Sequence, residues 1–147
     1  MSPASWQDDD VVSAWSALLR LHAKLVPLID AELQQASHLP LGWYDVLLEL
    51  DAAPQRRLRM LDLGAAVVLS RTRVSRVVDE LETAGYVKRE PNPADGRSAF
   101  ATLTSNGRAA FRKAAPVYLA SIRRHLGARV KGSDAAELRR LLELGLG

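Results

Sequence analysis

Apolar residues recur at helical spacing through most of this chain. Trp15, Leu18, Leu19, His22, Leu25, Val26, Ile29 and Leu33 form one broad stripe, which predicts a long amphipathic helix over residues 8 to about 35. Pro27 lies inside it and predicts a kink. So wide an apolar arc exceeds what a small domain needs for its own core, and a partner subunit is the expected place for the excess. A second helix is expected over residues 41–50, started by Pro40 and stopped before Pro54. A short strand at 57–59, a third helix at 60–68 and a tight turn at 69–71 follow. Val74, Val77, Val78 and Leu81 then fall at i, i+3, i+4 and i+7 and face a core. Ser70 is the expected N-cap of that fourth helix and Gly85 its terminator. Strands at 87–90 and 99–103 flank a turn-rich loop, 91–98. Thr104 caps a long helix to about residue 126, with Pro116 as a second kink, and Ser133 caps a last helix over 134–144. The expected fold class is mainly α with a small β-wing (α+β). Its centre is a helix-turn-helix followed at once by a hairpin.

Composition narrows the picture. A chain of 147 residues is the size of one domain and buries a real core. No run approaches the roughly 20 apolar residues of a membrane span, and the start, MSPASWQDDDVV, is acidic with no apolar signal region. No membrane partner is therefore expected. The absence of cysteine removes disulfides and thiolate chemistry and fits a cytoplasmic protein. The net charge is only +3, so its distribution matters more than its total. Arginines and lysines crowd the middle third, on the outward side of the fourth helix and on the hairpin. Acidic residues lie among them, and the bland reading of such mixed charge is a solvated surface.

On the fourth helix, Thr72, Arg73 and Arg76 fall opposite the apolar stripe, with Ser75 at the margin. Such a face suits the major groove of duplex DNA. Arg73 and Arg76 are the candidates for guanine edges, because a guanidinium bonds O6 and N7 together. Ser70, Thr72 and Ser75 suit phosphates. Arg71 serves either a phosphate or the fold. In the hairpin loop, Asp95 and Arg97 are a turn with a local ion pair or, alternatively, a minor-groove contact in which Asp95 orients Arg97. His22, His38 and His125 are far apart and make no metal site. His22, on the first helix, is either a buried hydrogen-bonded histidine or a pH-sensing group near a subunit interface. There is no Gly-rich phosphate loop and no His–carboxylate–nucleophile cluster, so neither an enzyme nor a cofactor is expected.

The order of elements, with VSRVVDELETAGYVKREPNPADGR and LTSNGRAAF, resembles the multiple antibiotic resistance regulator (MarR) family of winged-helix transcription factors. Asp95-x-Arg97, Arg76 and Leu103-Thr104-x-x-Gly107 carry the resemblance most specifically. It implies a single domain over 1–147 that forms a homodimer. Residues 8–36 and 104–146 would be dimerisation helices, and 40–103 a winged helix-turn-helix lobe. It also implies a ligand pocket between the two parts, open to a small aromatic or phenolic acid. The urate-responsive branch uses a Trp, an Asp and two Arg, which Trp15 (or Trp6), Asp45, Arg76 and Arg89 match. Indole stacking and arginine charge would suit a planar anion. Pro40 departs from the family's usual Ser or Thr cap, Gly96 from a longer wing residue, and Ser105 and Asn106 from acidic residues at the start of the fifth helix. The function expected is a homodimeric repressor of a pseudo-palindromic double-stranded DNA operator, released by such an acid. The alternative is a winged-helix protein-interaction module, which would not need a cationic reading face.

Overall fold

The computed structural model describes residues 8–147; Trp6 lies outside them. Helix α1 (Asp10–Ser37) is capped by Asp9, whose Oδ1 accepts the amides of Val11 (2.9 Å) and Val12 (3.3 Å). It continues unbroken through Pro27. Helix α2 (Leu41–Ala52) has Pro40 at its N-cap position, with no side chain to offer. The acceptor comes from α1 instead: Asp30 Oδ1 takes the Leu41 amide at 2.9 Å. β1 (Arg57–Arg59) follows a corner in which Gln55 and Arg56 have φ of 57° and 52°. Helix α3 (Met60–Ala66) leads through a 3-10 turn at residues 71–73 into α4 (Val74–Thr83).

Ser70 is not the N-cap that local spacing suggests. It is 2% exposed, and its hydroxyl donates to the Gly42 carbonyl at 2.9 Å, toward α2. Gly85 does end α4, at φ 81°, with the Tyr86 amide reaching back to the Leu81 carbonyl (2.9 Å).

Strands β2 (Val87–Pro91) and β3 (Ala99–Leu103) form the wing, and the antiparallel sheet runs β1-β3-β2. Arg59 pairs with Phe100 and Arg57 with Thr102, while Val87 pairs with Leu103. Thr104 caps α5 (Ser105–His125) by accepting the Gly107 amide at 3.0 Å. Its hydroxyl also donates to the Gly85 carbonyl (2.6 Å), so one side chain joins the end of α4 to the start of α5. Gly107 is required there, since a Cβ would run into the Tyr86 carbonyl. Helix α6 (Ser133–Leu146) takes Ser133 as its first residue, with Gly132 and not Ser133 at the cap position.

One core joins these elements. Leu33 of α1, Leu47 and Leu50 of α2, Leu63 of α3, Leu81 of α4 and Ala114 of α5 are all fully buried. α1 packs chiefly along α5. A polar cluster fastens that pair: Glu32 accepts from Ser121 Oγ (2.6 Å) and Arg124 Nη1 (2.7 Å) and meets His125 Nε2 at 2.5 Å. These partners, the Ser121 hydroxyl first, hold the Glu32 carboxyl down at about 2.

Two surfaces are left without cover. The first half of α1 exposes Val11, Trp15, Leu18 and Leu19, and α6 buries no residue, leaving Leu141, Leu144 and Leu146 exposed. By length and by the mean hydropathy of its most apolar 18-residue stretch (1.2), α1 reaches the composition of a membrane span, which counting apolar runs did not anticipate; Arg20 and Lys24 interrupt that stretch. Alanines between the larger residues raise that mean, and a count of large apolar side chains misses them.

Candidate functional site

The turn from α3 into α4 is built around one carboxylate. Asp45, on α2 and 7% exposed, accepts the backbone amides of Leu69 (2.8 Å) and Ser70 (3.1 Å) through Oδ2. The Ser70 hydroxyl bond to Gly42 adds a second tie to α2. The turn thus sits on α2, and the side chains after it face outward. Thr72, Arg73, Ser75 and Arg76 are all exposed along one surface. Arg71 is also exposed, but its Nη2 donates to the Ala65 carbonyl at 3.0 Å, so it supports α3. Ser70 faces inward, away from that surface. Arg76 Nε lies 3.3 Å from Glu80 Oε1, and Glu80 Oε2 accepts the Trp43 indole N–H at 2.8 Å.

The wing is joined to α4 by Arg89. Its Nη1 donates to Asp79 Oδ1 (2.5 Å) and Glu82 Oε1 (3.4 Å), its Nη2 to the Ser75 carbonyl (3.3 Å), and its amide to Glu82 Oε2 (2.9 Å). At the tip, Asp95 Oδ1 accepts the Arg97 backbone amide at 3.0 Å. The carboxylate therefore shapes the turn, and no ion pair to the Arg97 guanidinium forms among the described residues. Arg97 is exposed. Asn92, buried at 9% exposure, organises the loop: its Oδ1 accepts the Ala94 amide and its Nδ2 donates to Ser98 Oγ, both at 3.0 Å. Reading by residue type passed over Asn92. The signal that could have found it was an Asn two residues before the wing turn, where it makes an Asx-turn.

A cavity of about 650 Å³ lies between α1 and the winged lobe. His22, Val26, Trp43, Arg73, Arg76 and Glu80 are among its lining residues. Of the four side chains expected to hold an aromatic anion, only Arg76 is on this wall. Trp15 is 59% exposed near the start of α1, Asp45 is engaged by the turn, and Arg89 by the wing clamp. Local spacing hid this, since α2 presents Trp43 to the cavity and Asp45 to the turn. His22 is exposed and lines the cavity, not the core. No group of three potential metal ligands occurs among the described residues.

Residues 38–98 match the family model described as "MarR family". An HTH-type transcriptional repressor of Mycobacterium tuberculosis is 33% identical over 126 residues, covering 86% of this chain and 88% of that protein. A Streptomyces coelicolor MarR-family regulator solved in complex with DNA superposes with a TM-score of 0.82 at 30% identity, over 90% of this chain and 84% of that one. A second regulator of that organism, AbsC, superposes with a TM-score of 0.79 at 33% identity, over 91% and 90%. Two shorter matches, to HTH-type regulators of Bacillus subtilis and Escherichia coli, span 43% and 39% of those proteins' lengths.

Proposed function

The chain belongs to the MarR family, and from that premise we propose that it is a homodimeric DNA-binding transcriptional repressor whose operator complex is released by a small aromatic or phenolic anion. The observation that carries this reading is the surface formed by the 3-10 turn at residues 71–73 and the start of α4. Four side chains suited to base edges and phosphates stand exposed together, beside a wing whose Arg97 is exposed. The relative solved with DNA supports the same use of the lobe. Ser70 drops out of the proposed contact set, and Arg71 stays only as a phosphate contact secondary to its tie to Ala65.

Residues 8–36 and 104–146 would pair with a second copy. The uncovered leucines of α1 and α6 support this, because such surface is buried in obligate dimers. Two α4 helices must then lie roughly 34 Å apart to enter successive major grooves. The effector would occupy the cavity between α1 and α4, stacking on Trp43 and meeting Arg76. A ligand that favours a wrongly spaced dimer a hundredfold supplies roughly 2.7 kcal/mol per site.

The test is a gel shift with DNA flanking the chain's own gene against random duplex. Arg73→Ala and Arg76→Ala should each cost on the order of 1–3 kcal/mol on the specific site and less on random DNA. Arg97→Ala should weaken preference for narrow A·T minor grooves. Equal losses on both duplexes in all three variants would show that none reads sequence. Titration of urate, salicylate and related acids into the complex tests the effector, and no release at millimolar concentration would refute that part.

A further inference from the structure

We propose that the cleft between the corner at Gln55 and Arg56 and the first turns of α5 is a binding site for a phosphorylated small molecule. Three guanidiniums, from Arg56, Arg108 and Arg112, line a concavity of about 360 Å³ together with Thr104 and Ser105. Arg108 and Arg112 are one turn apart on one face of α5, and helical side chains lean toward the N-terminus, so both reach toward the helix start. Asp51 is the carboxylate paired with this group. Its Oδ1 is 3.7 Å from Arg56 Nε and 3.5 Å from Arg108 Nε. Three positive charges thus face one negative charge. Arg112 has no ion-pair partner among the described residues.

The charge around this cleft is positive on balance. The first turn of α5 contains no acidic residue, and its positive dipole end adds to the arginine charges. Arg108 Nε is buried and makes no hydrogen bond, with Asp51 Oδ1 at 3.5 Å its ion-pair neighbour, so this N–H is the donor that an added acceptor would satisfy. Gln55 and Arg56 occupy left-handed backbone that residues other than glycine rarely adopt, and this carries Arg56 over the helix. A phosphate dianion matches the surplus charge and offers three acceptor oxygens to planar guanidiniums. The volume fits a small ligand.

The source of the phosphate follows from the sheet register. Arg59 sits opposite Phe100 and Arg57 opposite Thr102, so Arg56 continues toward the base of the sheet. The wing tip, residues 92–98, lies at the other end. A duplex held by the tip would lie at the opposite end of the sheet from the cleft, which favours a free phosphorylated molecule as the occupant.

Inorganic pyrophosphate is the probe, titrated into the full chain by calorimetry, with sodium chloride at matched ionic strength as control. The expected result is saturable binding of one pyrophosphate per chain. Arg56→Ala and Arg112→Ala should each weaken it at least about tenfold, and Arg123→Ala, an exposed arginine further along α5, should leave it unchanged. Arg112→Lys keeps the charge without the two-pronged bond and should fall between. No saturable binding at millimolar pyrophosphate overturns the proposal, and so does an equal loss in Arg123→Ala, which would mean general charge screening. If Arg112→Ala leaves pyrophosphate binding intact but weakens DNA and lowers the salt slope by about one, the cleft holds a backbone phosphate and the small-molecule assignment is wrong. DNA binding unchanged in Arg112→Ala, with pyrophosphate binding lost, supports the proposal independently of the repressor reading.

Discussion

Replacing Asp45 by alanine should loosen the turn that presents the reading face. The carboxylate is buried at 7% exposure and accepts two backbone amides, from Leu69 at 2.8 Å and Ser70 at 3.1 Å. A hydrogen bond to a charged group contributes about 1.5–3 kcal/mol, and removing the acceptor leaves both donors short of a partner. Leu69 is 39% exposed, so water can reach one of them and soften the loss. The net cost should be about 2–4 kcal/mol for Asp45→Ala. Asp45→Asn can set its neutral carbonyl oxygen where Oδ2 accepts both amides, losing the charge but not the acceptor, and should cost about 1–2 kcal/mol. With a urea slope of about 2 kcal/mol per molar, the alanine variant should unfold about 1–2 M earlier. Helical circular dichroism follows the transition, at one fixed chain concentration because a dimer's apparent stability depends on it. Suppose instead that the midpoint moves by less than about 0.25 M and the response to an aromatic anion disappears. Asp45 would then be a ligand group, as the family resemblance implies, and the turn-anchor argument would be wrong.

Arg89→Ala should release the wing from α4. Asp79 and Glu82 are well exposed, so the stability loss should stay within about 1 kcal/mol. Amide exchange across residues 91–98 should nonetheless speed up, and unchanged protection there would refute the clamp. The Glu32 carboxyl, held at about 2 in the fold against 4.5 as its ordinary value, supports the fold fully above about pH 4.5. That support is lost as pH falls toward 2, so the Tm difference between wild type and Glu32→Gln should shrink steadily between those values. Parallel Tm curves over that window would refute the assignment. Leu144→Glu and Leu146→Glu, at 69% and 85% exposure, should yield monomers by sedimentation at micromolar concentration while the α2–α4 core stays folded. An intact dimer in both variants would show that these leucines lie outside the subunit interface.

The sequence by itself determined the element order, the wing strands, the Thr104 and Gly85 boundaries and the outward position of Thr72, Arg73, Ser75 and Arg76. Each of these follows from a spacing of a few residues, where helical or strand periodicity and capping chemistry decide the outcome. It also indicated, through the surplus of leucine on α1, that this helix exceeds the needs of one core. Only the tertiary structure decided where the polar side chains go when they reach across elements. Asp30 caps α2 from 11 residues away, Asp45 anchors an amide 25 residues on, and Trp43 reaches Glu80 across 37. Ser70 has the right type and place for a cap, yet the Gly42 carbonyl beside it offers a buried partner, and a buried hydroxyl takes the acceptor at hand. Arg89 similarly meets two carboxylates and a carbonyl of α4 before any ligand. Such contacts depend on how helices settle against one another, which depends on packing volume summed over the whole core, and no local period encodes that sum.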